Sequence, residues 1–377
     1  MKLEILKEKL NQSLNIIEPL TRKNINLPIL SNILIETEKN FLKISATNLE
    51  TSIIWRILSN IKEMGKVVIP ANFFKSLISF IKDDKLVLSS EGSNLVLESN
   101  EQVNQIQGVN PDDFPIIPKI SEEDFIEING SNLNQGLIQV VNIPSFSQVR
   151  PEISGIYFSF KKDGLKIVST DSFRLAEKNI KLNQKVKKDI SFILPQSAIK
   201  ELISILSLKP DKLKFYFSPN QVLFEWLGEE TPYPQIHFYS RLIEGSYPSY
   251  QEIIPKKYTN QIILNREDFL TQIKKAGLFS GKISEVKLTI IPDKKKLKIF
   301  SQSVDIGKNE AYLPIKIEKK SEELVETSFN YKFLIDGLTN IRSSEIIFNL
   351  SEKEGPVAIT PVGDESYIYI LMPIKSL

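Results

Sequence analysis

At 377 residues and 41% apolar content, the chain is long enough for two or three domains with ordinary cores. The absence of cysteine excludes disulfides, thiolate chemistry and cysteine-based metal sites, and a single histidine leaves no His-pair metal site or triad to assemble. Forty-eight basic residues against 46 acidic give a net charge of +2, so a hold on nucleic acid would have to come from local positive potential.

Taken in chain order, the elements repeat. The first copy opens on a helix with Leu10, Leu14 and Ile17 at helical spacing. A strand, Phe41 to Thr47, then feeds a polar bend at Asn48, and an apolar strand, Val67 to Pro70, runs into a helix at Asn72–Ile81. That helix is expected to turn Phe73, Phe74, Leu77, Ile78 and Ile81 inward and Asn72, Lys75, Ser76, Ser79 and Lys82 outward. The second copy begins with a helix capped by Ser131, with Leu133, Leu137 and Val141 inward and Asn134, Gln135 and Gln139 exposed. Its strand from Leu165 to Thr170 meets a bend at Asp171-Ser172, and Phe192 to Pro195 precedes a helix at Gln196–Leu206. The third copy has Asn265 as cap, Phe269, Ile273 and Leu278 on one helix face and Arg266, Lys274 and Lys275 on the other. It continues with a strand from Leu297 to Ser301 and a helix at Asn330–Leu338.

The landmarks drift together. Phe41 to Leu165 to Leu297 is 124 then 132 residues, and Asn72 to Gln196 to Asn330 is 124 then 134. A period of that size means whole domains in tandem, not a solenoid. The reading is an α+β chain of three copies of one domain, each with antiparallel sheets and two helices. Boundaries at proline-bearing joints place the copies at residues 1–122, 123–255 and 256–377. No apolar run is long enough to span a bilayer and Met1-Lys2-Leu3-Glu4 opens no secretory signal, so a cytoplasmic protein is expected.

The search for chemistry returns no constellation, so no catalytic residue, metal or cofactor is expected. His237, between Ile236 and Phe238, reads as a packed or edge-strand histidine. There is no glycine-rich phosphate loop. Asp171, directly after a strand, reads as a turn cap before it reads as site chemistry. Carboxylate pairs such as Asp83-Asp84 are adjacent, and adjacent strand residues face opposite ways, which makes them poor ligand pairs. The helix faces are rich in Asn, Gln and Ser with scattered Lys, a pattern that suits either plain solvation or loose contact with phosphates without base reading.

Several strings carry a family likeness: Leu27-Pro28-Ile29-Leu30-Ser31-Asn32, Ala46-Thr47-Asn48-Leu49-Glu50, Asp113-Phe114-Pro115, Thr170-Asp171-Ser172-Phe173-Arg174-Leu175-Ala176, Leu242 to Pro248, and the terminal Leu371-Met372-Pro373-Ile374. Over its whole length the chain resembles the bacterial DNA sliding clamps, the beta subunits of DNA polymerase III. The resemblance implies a head-to-tail homodimeric ring around double-stranded DNA, with helices lining the hole. It implies short linear motifs of the polymerase III catalytic subunit, the clamp loader and other replication and repair enzymes as peptide partners. It also implies no catalysis, because a ring confers processivity by topology.

Residue by residue, the peptide groove would comprise Ile153, Thr170, Ser172, Phe173, Arg174, Leu175, Pro248, Ile253, Ile370, Met372, Pro373 and Ile374. The DNA-facing set would be Lys7, Lys9, Arg22, Lys23, Asn24, Lys75, Lys200, Arg266, Lys274, Lys275 and Lys332. Phe80 and Ile106 would meet Leu278 and Phe279 across the dimer interface. The chain departs from the family where Ser172-Phe173 replaces a frequent Gly-His or Gly-Tyr, where Glu252 stands at a commonly basic position, and where Asn24 replaces a DNA-facing arginine. Two alternatives stay open: a ring of different stoichiometry, and an enzyme or ligand-binding protein built on repeated domains.

Overall fold

The computed structural model describes residues 1–21, 27–100, 102–120, 124–145, 147, 149–162, 164–209, 212–228, 231, 233–319, 326–351 and 355–374. Among these, six helices appear, two in each copy: α1 Lys7–Ile17, α2 Ala71–Phe80, α3 Gly130–Val140, α4 Gln196–Leu208, α5 Arg266–Gly277 and α6 Tyr331–Thr339. Every paired strand is antiparallel. Arg22, Lys23 and Asn24 lie outside the described residues, as do Lys375, Ser376 and Leu377.

The strands form four sheets, and two of them cross from one copy to the next. An eight-stranded sheet runs Phe125–Asn129, Lys212–Phe217, Gln221–Leu227, Pro234–Arg241, then Thr51–Leu58, Phe41–Thr47, Asn32–Glu38 and Lys66–Pro70. Its first four strands come from the second copy and its last four from the first. A nine-stranded sheet runs Ile190–Pro195, Gly155–Lys161, Gly164–Thr170, Arg174–Ile180, then Tyr367–Leu371, Val357–Pro361, Glu345–Leu350, Asn260–Asn265 and Lys316–Lys319. Here the second copy meets the third. Two sheets stay within a copy: a five-stranded one ending in Val103–Ile106, and a four-stranded one ending in Gly307–Pro314. Contacts accordingly divide the chain into two compact units, Met1–Asn134 with Ser197–Leu242, and Gln135–Gln196 with Ile243–Leu377. The second copy contributes to both because each half of it belongs to a shared sheet.

Period-2 alternation drives these sheets: Leu42, Ile44, Leu165, Ile167, Leu297 and Ile299 all face a core. Helices seal it, and close approach needs glycine at one point: a Cβ on Gly337 of α6 would sit 2.5 Å from the Tyr369 ring. The Asn265 carboxamide caps α5 as expected, accepting from the Glu267 and Asp268 N–H groups at 3.0 Å.

Four local expectations are corrected. The side chain that caps α3 is Asn129, which accepts from the Asn132 N–H at 2.9 Å, and Ser131 lies inside the helix. Gln139 is buried and donates to the Asn340 carbonyl at 3.2 Å, because α3 rolls that side toward the loop after α6. Phe73 is 58% exposed, since the core stripe of α2 is the narrower Ala71, Phe74 and Ile78. Leu278 caps the C-terminus of α5, where the helix has already ended at Gly277, and points away from the Phe269–Ile273 face.

The polar bends prove to be one turn used twice. In the first copy the Thr47 hydroxyl takes the Leu49 N–H and donates to the Thr51 carbonyl, while Asn48 accepts from the Glu50 and Thr51 N–H groups. In the second, Thr170 takes the Ser172 N–H and donates to the Arg174 carbonyl, while Asp171 accepts from Phe173 and Arg174. The middle residue of each is left-handed, with φ of 74° at Leu49 and 77° at Ser172. Glycine adopts that conformation freely, which accounts for its frequency at the position of Ser172 in the family the chain resembles. Replacing Ser172 with Gly is expected to leave stability unchanged or raise it by up to about 1 kcal/mol, whereas Ser172→Val costs about 1–2 kcal/mol. Urea denaturation midpoints measure both.

Candidate peptide groove and interaction surfaces

The strand Arg174–Ile180 pairs with Tyr367–Leu371 in the register Leu175 to Ile370 and Glu177 to Ile368. Alternation sends Leu175, Ile370 and Val168 to one face of the sheet, where they cluster with Ala358 and Tyr250. The joint before the third copy crosses this face. Its Tyr247 stacks on Tyr157 with ring centroids 4.8 Å apart, and its Tyr250 hydroxyl donates to Glu177 Oε2 at 2.8 Å. Glu177 is buried and also holds Lys166 at 3.1 Å. Burial, and then the adjacent Glu177 carboxylate, push the Tyr250 hydroxyl well above the ordinary tyrosine range, so it stays a donor.

The groove residues named from sequence sort into layers. Ile153, Thr170, Leu175 and Ile370 are buried, Leu175 and Ile370 within the apolar cluster that the joint tyrosines cover. Ser172 and Phe173 are exposed, Ile253 is 44% exposed, and Pro248, Met372, Pro373 and Ile374 are half-buried. The terminal run is tied down twice, by the Met372 N–H to the Phe173 carbonyl at 2.9 Å and the Ile374 N–H to the Ser328 carbonyl at 2.8 Å. Met372 is thereby held beside Phe173, where its flexible thioether suits varied apolar ligands.

Arg174 behaves differently from its neighbours. It turns to the opposite face, 4.4 Å over the Phe333 ring, and binds Asp171 at 2.9 Å and Asp336. Burial works against its charge, but Tyr369 and the two carboxylates outweigh it and hold the pKa raised. It braces the Thr170 turn, and through Phe333 it also backs the exposed Phe173. The tyrosines at 157, 247 and 250 and the Glu177–Lys166 pair were missed from sequence; the Tyr247-Pro248-Ser249-Tyr250 string at the joint was their one visible signal.

Of the cations expected to face DNA, Lys200, Lys274, Lys275 and Lys332 are exposed. Others are engaged within the chain: Lys75 with Glu18 at 3.0 Å, Arg266 with the Ser343 carbonyl at 3.2 Å, and Lys7 with the Ile81 carbonyl. Lys9 is half-buried and also has an intramolecular interaction. Among the expected interface residues, Phe80 and Leu278 are 81% and 71% exposed, and Phe279 is half-buried. Ile106, at 3%, turns its side chain into the core under the five-stranded sheet, where it pairs with Leu95, so that side chain offers a partner no surface. His237 is buried beside Glu225, with Nε2 3.1 Å from Oε2. Among the described residues no cluster of His, Asp or Glu could hold a metal ion.

Three tandem copies and sheets shared across their joints define a clamp-type scaffold. Family models match all three copies in order: the N-terminal domain of the DNA polymerase III beta subunit over residues 1–118, the central domain over 127–249 and the C-terminal domain over 251–375. The chain belongs to the DNA polymerase III beta subunit family, the sliding clamps. It is similar to the beta sliding clamp of Staphylococcus aureus, with 28% identity covering 98% of this chain and 96% of that one. The beta sliding clamp of Synechococcus elongatus is 22% identical over 100% and 99%. The crystal structure of the Bacillus subtilis DNA polymerase sliding clamp superposes with a TM-score of 0.92 at 25% identity, covering all of both chains.

Arg174 supplies a test of the bracing. Arg174→Leu strands the almost fully buried Asp171 carboxylate and is expected to cost about 2–4 kcal/mol. Asp336→Asn, at the exposed end of the network, is expected to cost under about 1 kcal/mol. Equal losses in denaturant melts would contradict this division of roles.

Proposed function

We propose that the chain is a non-catalytic processivity factor: with a second copy it closes head to tail around double-stranded DNA and tethers DNA enzymes through the Leu175 groove. Its copies are read as residues 1–122, 123–255 and 256–377. Replication on DNA makes the cytoplasm its place of work, and among the described residues no helix is long and apolar enough to cross a membrane.

One observation carries the assembly. At both joints the strand following the Thr–Asx turn of one copy pairs with the last strand of the next: Thr51–Leu58 with Pro234–Arg241, and Arg174–Ile180 with Tyr367–Leu371. Two strands are left without that partner. Val103–Ile106 is the last strand of the first copy, Gly307–Pro314 is the corresponding strand of the third, and among the described residues neither pairs with a strand of another copy. Each ends its sheet. The same pairing between chains joins five strands to four and makes the contact heterologous, which generates a closed ring if the rotation permits. Exposed Phe80 and Leu278 lie on the two copies so joined and become buried. Closure after two chains is the family's arrangement.

The DNA would then meet helix faces carrying Lys200, Lys274, Lys275 and Lys332; Arg22, Lys23 and Asn24 complete the proposed set and lie outside the described residues. Few free cations suit sliding, because each phosphate contact adds friction and salt dependence. The groove would take short segments of the polymerase III catalytic subunit, the clamp loader and other replication and repair enzymes. Its buried apolar residues beside the adaptable thioether of Met372 and a rim of Phe173, Pro248 and Ile253 support that reading.

Retention of the protein on nicked circular DNA, with loss after linearisation, tests encirclement; equal retention on both would refute it. Phe80→Asp and Leu278→Asp should each yield a folded monomer by light scattering at micromolar concentration, since both side chains are exposed in the single chain. A dimer that survives both would contradict the pairing of these edges. Deletion of Met372–Leu377 should abolish binding of a short peptide with a glutamine and two large apolar residues, of roughly micromolar affinity, while the dimer persists. Undiminished binding would remove the groove assignment and leave the ring standing.

A further inference from the structure

The groove at Leu175 has a structural counterpart that no part of the function above uses. It lies on the eight-stranded sheet, where the first copy pairs with the second. The same Thr–Asx turn stands at its end, Thr47 to Thr51 for Thr170 to Arg174. The registers correspond, with Ser52 opposite Tyr239 where the other seam has Leu175 opposite Ile370. A joint crosses this face too, and its sequence repeats: Phe114-Pro115 then Ile116-Ile117-Pro118-Lys119, against Tyr247-Pro248 then Ile253-Ile254-Pro255-Lys256. Ile117 and Ile120 of the joint pack on Tyr216, Leu223 and Tyr239, as Tyr250 and Ile254 pack at the other seam.

Two differences set its chemistry. Ile116, the counterpart of Ile253, is 92% exposed and stands between two depressions of ≈ 360 Å³ and ≈ 370 Å³, lining both. The floor is mixed: Ser45, Ser52, His237 and Tyr239 stand where the other seam has Val168, Leu175, Ile368 and Ile370, while Ile54 stands where that seam has Glu177. The walls are net positive: Lys43, Arg56, Lys119 and Arg241 against Glu38 and Glu50. Glu38 already binds both Lys43 and Arg56, at 3.2 and 3.0 Å. Arg56 Nη1 is buried with no hydrogen-bond partner, a donor that costs about 1–3 kcal/mol until an acceptor meets it. Lys119 and Arg241 are exposed, and among the described residues neither has an ion pair.

We propose that this seam is a second docking groove, for an extended acidic peptide segment: one large apolar side chain packs on Ile116 and carboxylates on either side meet Arg56 and Lys119 in one depression and Arg241 in the other. The inference rests on the reading of the Leu175 seam as a peptide groove, but its ligand differs. An apolar floor selects paired apolar residues, whereas a mixed floor walled by the exposed cations Lys119 and Arg241 selects charge.

Two fluorescein-labelled probes separate the grooves. One is a short peptide with a Leu-Phe pair flanked by glutamates; the other is the neutral glutamine peptide. On the full-length dimer, Lys119→Glu with Arg241→Glu should weaken the acidic probe about tenfold or more and leave the neutral probe unchanged. Ile116→Ser should weaken the acidic probe alone, and neither variant should shift the thermal midpoint, since all three side chains are exposed. Deletion of Met372–Leu377 should give the reverse pattern. The proposal is overturned if the acidic probe fails to bind, is indifferent to the charge reversal, or is displaced competitively by the neutral probe. Displacement by a single-stranded oligonucleotide at equal affinity also overturns it, by making the seam a phosphate site. A neutral probe that survives the deletion removes only the Leu175 assignment.

Discussion

The pairing of one copy's strand with the last strand of the next is the interaction on which the rest of the molecule depends. A sheet edge exposes a row of unpaired N–H and C=O groups, and nature covers such edges or makes use of them. Here two edges are covered inside the chain, by Thr51–Leu58 against Pro234–Arg241 and by Arg174–Ile180 against Tyr367–Leu371. Separating adjacent copies would expose both edges and split an eight- or nine-stranded sheet. The same rule explains why contacts divide the chain in two while the repeat divides it in three. It also leaves one donor edge and one acceptor edge for a second chain.

The Thr–Asx turn places chemistry at each seam. Its threonine and Asx side chains satisfy the backbone of the bend internally, so the turn holds its shape without a covering element. In the second copy Arg174 adds a clamp through Asp171, Asp336 and Phe333, and the exposed Phe173 stacks on the same Phe333 ring. The third copy has no such turn: Ser303-Val304-Asp305-Ile306-Gly307 takes its place, with a left-handed Gly307 and exposed Val304 and Ile306. An apolar, uncovered bend beside an open strand edge is a surface built to be covered.

Much of this was legible in the sequence, and what was not has physical causes. The repeat, the six helices and the cap at Asn265 follow from periodicity and from side chains that bond the nearest backbone, which are local matters. The groove residues Leu175 and Ile370 came from the family resemblance. A helical wheel, however, cannot tell a core face from a face reserved for a partner, so periodicity turned Phe73 and Leu278 inward, although the resemblance also put Leu278 at the dimer interface. The resemblance likewise put Ile106 at that interface, where its side chain proves buried. Capping by Asn129 and not by Ser131 turned on where the preceding strand ends. The tyrosine cover of the groove was hidden because it comes from a joint, where no periodicity marks which residues fold back.

Duplication explains how one scaffold can offer different surfaces. The backbone of a seam is specified by the turn, the register and the joint, all common to both seams. The ligand chemistry is specified by outward side chains at alternate positions, which the backbone leaves free to vary. Leu175 and Ile370 can become Ser52 and Tyr239 without altering a strand pairing, because outward residues contribute packing and not ladder hydrogen bonds. A change of that kind costs apolar burial at the seam, and the joint compensates by packing Ile117 and Ile120 onto Tyr216, Leu223 and Tyr239. Once that cover is in place, the next residue outward, Ile116, is free of any structural duty. A large apolar side chain exposed at that place contributes little to holding the fold together, and it is on this exposure that the proposed docking rests.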